Sequence, residues 1–245
     1  AGSFWDPSAL VRDNRLITAA NDPDYRPKQF YYTDAITDHA VTFVREHART
    51  HPGKPFFLYT AFTAAHWPMQ AKEQDIAKYK GHYHSGYSAV QAARWAKQKR
   101  LGLVNPKWER PPIVGNWASV KDRPFEERCM EVYAAMLTVM DEGIGRVLAT
   151  LQRLGLADNT LLVFTSDNGG ERFSDNWPLV GGKMDLTEGG IRVPWIAHWP
   201  GRIAPGQVST QHCMTMDWTA TLLDAAGVPP HPDYPLDGVS LLPLL

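Results

Sequence analysis

The sequence predicts an α/β domain with a mainly parallel sheet flanked by helices. Long segments with apolar residues at helical spacing alternate with short apolar runs bounded by turn residues, giving the order helix, strand, helix, strand. That order is the signature of crossover connections, and in such sheets ligands collect at the carboxyl ends of the strands. Two of the predicted strands end in polar residues suited to chemistry, His66 after one and Asp167-Asn168 after the other.

The first helix starts near Thr33, where Ile36, Ala40, Phe43, Val44 and Ala48 share a face, with Thr33 or Asp34 as N-cap and Pro52-Gly53 as terminator. Residues 55–62 are a continuous aromatic and aliphatic run after a turn signal, which suits a strand buried on both faces. Residues 72–124 read as a surface excursion that shapes a pocket rim, with helical spacing from Ala89 to Leu101 and a loop at Pro111-Pro112. From Phe125, the residues Met130, Ala134, Leu137, Met140, Ile144, Val147, Leu148, Leu151 and Leu154 form the apolar face of a long helix closed by Gly155. Asp158-Asn159 turns the chain into a strand at 161–165. A third strand at 193–199 follows a glycine-rich loop, and a last helix at 217–226 is closed by Gly227. The opening residues 1–7 show no pattern and 238–245 form an apolar tail, so the chain reads as one partial domain truncated at both ends.

With 245 residues, 44% apolar and 21% charged, a sizeable core is affordable. The 25 basic and 26 acidic side chains give a net charge of −1, which excludes the basic stripe of a nucleic-acid binder. No run of about 18 apolar residues predicts a membrane span, and no basic-then-apolar leader opens the chain. Cys129 and Cys213 lack ligand spacing, so no structural zinc is indicated, and one optional bridge remains open.

Asp167 and Asn168 offer a carboxylate and an amide oxygen, ligands of the kind hard divalent cations prefer. Asp-Asn-Gly-Gly is equally strong turn chemistry, and both readings stand. Calcium takes about 6–8 oxygens, more than this pair supplies, so Asp175 and Asp185 are further candidates, and the deficit equally suggests ligands from a part of the protein outside this sequence. Lys183, in Gly181-Gly182-Lys183, can meet an oxyanion or lie exposed in its loop. His66 can contact an anion or protonate a leaving group, or simply pack on Trp67 and Pro68. Glu188 and Arg192 read as a loop-shaping ion pair, and His82 and His84 as solvated loop residues.

Taken together, Pro55-Phe56-Phe57-Leu58-Tyr59, Ala65-His66-Trp67-Pro68, Thr165-Ser166-Asp167-Asn168-Gly169-Gly170, Gly181-Gly182-Lys183, Glu188-Gly189-Gly190-Ile191-Arg192-Val193-Pro194 and Trp199-Pro200-Gly201 closely resemble the type I, formylglycine-dependent sulfatases. Segments 133–145 and 237–242 extend the resemblance over nearly the whole chain. It implies the alkaline phosphatase/sulfatase-like fold and calcium-dependent hydrolysis of sulfate esters, aryl or carbohydrate. By the same resemblance, Asp167 and Asn168 bind calcium, Lys183 holds the sulfate or leaving-group oxygen, and His66 contacts the sulfate. Asn168 stands where two-metal phosphatases of the superfamily carry histidine, which favours a single calcium and sulfate. The family's nucleophile is a formylglycine made within Cys/Ser-x-Pro/Ala-x-Arg, a motif absent from this chain. The resemblance therefore implies that catalysis needs a segment from outside it, and that the parent protein is periplasmic or secreted. A phosphate or phosphonate ester hydrolase and a non-catalytic binder of sulfated glycans remain the alternatives.

Overall fold

The computed structural model describes residues 2–113 and 115–245. The chain divides into two compact units, Ala1–Gly155 with Ser166–Val193, and Leu156–Thr165 with Pro194–Leu245.

The first unit opens with a hairpin of β1 (Leu10–Arg12) and β2 (Arg15–Ile17), which the apolar pattern does not announce. Its turn residues Asp13 and Asn14 have φ of 48° and 64°, a conformation that Asn and Asp tolerate better than most residues. Arg12 donates to the buried Asp22 at 2.7 Å, and this hydrogen bond holds the Asp22 carboxyl below the usual carboxylate range.

Helix α1 (Tyr32–Thr50) packs against helix α4 (Arg123–Arg153). The expected N-cap of α1 is not used: Tyr31 stands at that position without a side-chain cap, Thr33 is buried, and Asp34 pairs with Lys72. Tertiary bonds hold the helix start instead, the Tyr32 amide donating to Phe4 O at 2.8 Å and the Tyr31 hydroxyl to Gln70 O at 2.8 Å. At α4, Asp122 Oδ1 accepts from the Phe125 amide at 3.1 Å and Pro124 occupies the first turn.

The buried face of α4 differs from the expected one. Cys129, Met136, Gly143 and Thr150 recur every seventh residue, joined by Ala135, Val139 and Leu151, while Leu148 and Leu154 are exposed. The reason is closeness of approach: a Cβ on Gly143 would collide with Thr37 Oγ1, so small residues line the α1–α4 contact. The hydroxyls there are satisfied within their own helices, Thr37 donating to Thr33 O at 3.0 Å and Thr150 to Arg146 O at 2.8 Å. A core of Phe4, Tyr31, Ala71, Ile76, Ala135, Met136 and Val139 continues from this contact. Fully burying a side chain the size of Met136 stabilises the fold by about 1.5–3 kcal/mol.

Residues 55–62 alternate between half-buried and exposed with period two, as a strand does, but form no ladder among the described residues. Phe57 and Tyr59 are 75% and 81% exposed, so the expected burial on both faces is absent here. Within 72–124 lie α2 (Glu73–Ile76) and α3 (Tyr87–Arg100), anchored by the buried Ile76 and Trp95. The single-turn helix α5 (Glu188–Ile191) closes the glycine-rich loop.

In the second unit, β3 (Leu162–Thr165) pairs with β4 (Trp195–His198), close to the expected bounds but antiparallel, with Thr165 opposite Trp195. The expected parallel direction therefore does not hold for this pair. A parallel crossover returns the chain to the opposite end of its partner strand, whereas this register makes residues 166–194 one long hairpin connection. Helix α6 (Thr215–Ala226) ends at Gly227, whose φ of 65° is the left-handed cap predicted for it. Trp218 stacks on Trp195 at 4.5 Å. Of the apolar tail, Leu241 is buried and its amide donates to Thr221 Oγ1 at 2.8 Å, while Val239 and Leu244 are exposed.

Candidate active site

Backbone hydrogen bonds cross the glycine-rich loop of the first unit. Gly169 N–H donates to Gly190 O at 2.8 Å, Lys183 N–H to Gly170 O at 3.0 Å, and Gly189 N–H to Val180 O at 2.7 Å. Gly189 is required by this closeness, because a Cβ there would run into the carbonyls of Val180 and Gly181. Asn176 ties the strands of the loop together, accepting from Gly170 N–H at 3.1 Å and donating to Gly170 O and Gly181 O at 3.1 and 3.0 Å.

This loop presents Lys183 to His66. Lys183 Nζ lies 2.9 Å from His66 Nε2, across 117 residues of sequence. His66 follows a turn in which its amide donates to Thr63 O at 2.8 Å, and its Nδ1 lies 2.7 Å from Trp67 O. A carbonyl only accepts, so Nδ1 carries the ring proton and Nε2 offers a lone pair, which the ammonium meets as donor. Glu171 Oε2 stands 3.7 Å from Lys183 Nζ on the other side. A cation shared between an imidazole and a carboxylate is a site from which an incoming oxyanion can displace weak partners.

Asp167 and Asn168 begin the same loop. Asn168 O accepts from Ser166 Oγ at 3.0 Å, while the exposed Asp167 carboxylate makes no hydrogen bond or ion pair among the described residues. Both the turn and the outward oxygen donors are therefore present. The two further candidates are committed elsewhere: Asp175 to Arg94 at 2.5 Å, and Asp185 to the Gly182 amide at 2.9 Å. No group of three or more His, Cys, Asp and Glu able to hold a metal occurs among the described residues. Asp167 and Asn168 thus fit calcium in donor type and supply only part of its shell.

Arg192 pairs with Glu188 at 3.2 Å, as the spacing predicts, and the exposed His84 lies 3.2 Å from Glu127. Both cysteines are free, and burial pushes both thiols up, with the charge of Asp217 adding at Cys213. Neither has the lowered value of a nucleophilic thiol. Local sequence pattern does not single out Glu171, Asn176 or Arg94, because their partners Lys183, Gly170, Gly181 and Asp175 are brought to them only by the folding of the loop. Among the described residues no helix is long and apolar enough to cross a membrane.

Comparisons with known proteins place the chain in a family. The chain is 32% identical to an uncharacterised sulfatase of Schizosaccharomyces pombe, over 91% of this chain and 48% of that protein. It is 28% identical to an arylsulfatase of Klebsiella aerogenes, over 88% and 56% respectively. It thus spans about half the length of these curated relatives. Among solved structures, Ps i-CgsB in complex with k-i-k-neocarrahexaose superposes with a TM-score of 0.66 at 30% identity, covering 93% of this chain and 40% of that one. The expected fold class is that of these neighbours, the alkaline phosphatase-like α/β fold of sulfatases, although the local ladders are few. The family model described as Sulfatase matches residues 4–228, and the chain belongs to the sulfatase family.

Proposed function

We propose that this chain forms part of a calcium-dependent sulfatase site that hydrolyses sulfate monoesters of aryl or carbohydrate alcohols. The observation that carries the reading is the 2.9 Å approach of Lys183 Nζ to His66 Nε2, which brings an ammonium on the glycine-rich loop against an imidazole from the turn after Thr63. Similarity to an arylsulfatase and to an N-acetylgalactosamine-6-sulfatase supports the same substrate classes.

Asp167 and Asn168 would hold calcium, which supplies charge neutralisation of the sulfate oxygens when bound. Lys183 binds a sulfate or leaving-group oxygen and strengthens that bond as charge grows on it. Because His66 Nε2 carries a lone pair in this geometry, the proton nearest the departing oxygen sits on Lys183. His66 accepts from that ammonium through Nε2 and keeps it aimed. The nucleophile, a formylglycine, is expected from outside this chain, as no Cys/Ser-x-Pro/Ala-x-Arg motif lies within it. By family resemblance the parent protein acts in the periplasm or outside the cell.

The test is turnover of aryl and carbohydrate sulfates by a full-length protein carrying this chain, with and without calcium, against phosphate esters of the same alcohols. Lys183→Ala should lower turnover 10²–10³-fold, since one transition-state contact is worth about 3 kcal/mol. Preference for phosphate with zinc, or near-normal activity of the alanine variant, overturns the proposal.

A further inference from the structure

Glu171 has no role in the chemistry above, yet its carboxylate is 3.7 Å from the ammonium that is to receive the anion. The nearby cation that could cancel it, Arg172, is engaged by Glu126 at 2.7 Å and lies over the Phe173 ring at 4.8 Å. The backbone of Glu171 is pinned as well, its carbonyl accepting from Ser174 N–H at 3.0 Å. The Glu171 carboxylate therefore offsets the Lys183 ammonium in this corner of the site.

From this geometry we infer that Glu171 is a specificity-determining residue that makes the Lys183 site select singly charged sulfate monoesters over doubly charged phosphate monoesters. The inference rests on the reading of Lys183 as the oxyanion ligand. A sulfate monoester carries one negative charge, whereas a phosphate monoester, with a second pKa of about 6, carries nearly two above neutral pH. An anion seated on Lys183 lies within a few ångströms of the Glu171 carboxylate, so repulsion grows with each unit of its charge. At about 4 Å in a water-like surrounding, one additional unit of charge changes affinity about 5-fold. Glu171 is half-exposed, so this effect is screened by salt. A residue that merely shaped the loop would affect both esters alike and show no such screening.

The test is titration of a full-length protein carrying this chain, its formylglycine precursor residue replaced by alanine so that neither ester turns over, with phenyl sulfate and phenyl phosphate at mildly alkaline pH in the presence of calcium, following the His66 ring nitrogens by NMR. Glu171→Gln should shift the ratio of the two dissociation constants about 5-fold toward phosphate at low ionic strength. High salt should shrink the shift, and Glu171→Asp, which keeps the charge, should stay near the wild-type ratio. If both esters bind and the ratio is the same in Glu171→Gln, the role of Glu171 is overturned while the Lys183 reading stands. If neither ester perturbs His66 in the wild type or in Glu171→Gln, the Lys183–His66 anion site itself is overturned, and this inference with it.

Discussion

Arg94 donates to Asp175 at 2.5 Å, joining helix α3 to the loop that carries Glu171 and Lys183. Gln91, one turn earlier, reaches the same carboxylate at 3.4 Å, and Arg172 bridges the loop to Glu126 of α4. The excursion at 72–124 is thereby tied to the candidate site by charged contacts. Arg94→Ala and Asp175→Asn should each destabilise the first unit by roughly 1 kcal/mol, the upper range for partly exposed pairs. A double-mutant cycle on thermal unfolding checks this: the double variant should cost little more than either single one.

Gly143 faces Thr37 where α1 and α4 are closest. Alanine favours helix by about 1 kcal/mol, but its Cβ would collide with Thr37 Oγ1. Gly143→Ala should therefore be destabilising by about 1–2 kcal/mol despite the better propensity. Combining it with Thr37→Ala should recover part of the loss, whereas Thr37→Ser, which keeps the oxygen, should not. Urea midpoints of the wild type and these three variants decide the matter.

Gly189→Ala places a methyl group against the carbonyls of Val180 and Gly181. Gly181 O is already bound to Asn176, so the loop must shift, and Lys183 with it. Phenyl sulfate binding should weaken by about 10-fold or more while the helical circular dichroism of α1 and α4 is unchanged, because a contact displaced by about an ångström is largely lost.

In the second unit, Asp217 accepts from Val239 N–H at 3.0 Å and Met214 N–H at 2.7 Å, and these two bonds hold its carboxyl below the usual carboxylate range. A folded value below the unfolded one means that the stabilisation is fully present above the unfolded pKa and is lost as pH falls through the folded one. Asp217→Asn can satisfy only one of the two amides through its oxygen, so it should lower the melting temperature at neutral pH. The gap from wild type should narrow below about pH 3.8, and a pH series of melting curves reads this directly.

Local patterns were legible in the sequence. The helices and the two strands that form β3 and β4 appear near their expected places, because helical spacing, turn residues and the glycine stops at Gly155 and Gly227 act over a few residues. Sequence also carried the family motifs on which His66, Asp167, Asn168 and Lys183 were singled out. It did not carry direction or partnership. Whether β3 and β4 run parallel depends on where a long connection returns, and which face of α4 is buried depends on how closely Thr37 can approach Gly143. The contact of His66 with Lys183 spans 117 residues, and Glu171 matters only because the folded loop sets its carboxylate beside that lysine. Residue type and spacing determined what chemistry the chain holds. Only the tertiary structure decided which groups meet, since electrostatic and steric forces act over a few ångströms of space irrespective of separation along the chain.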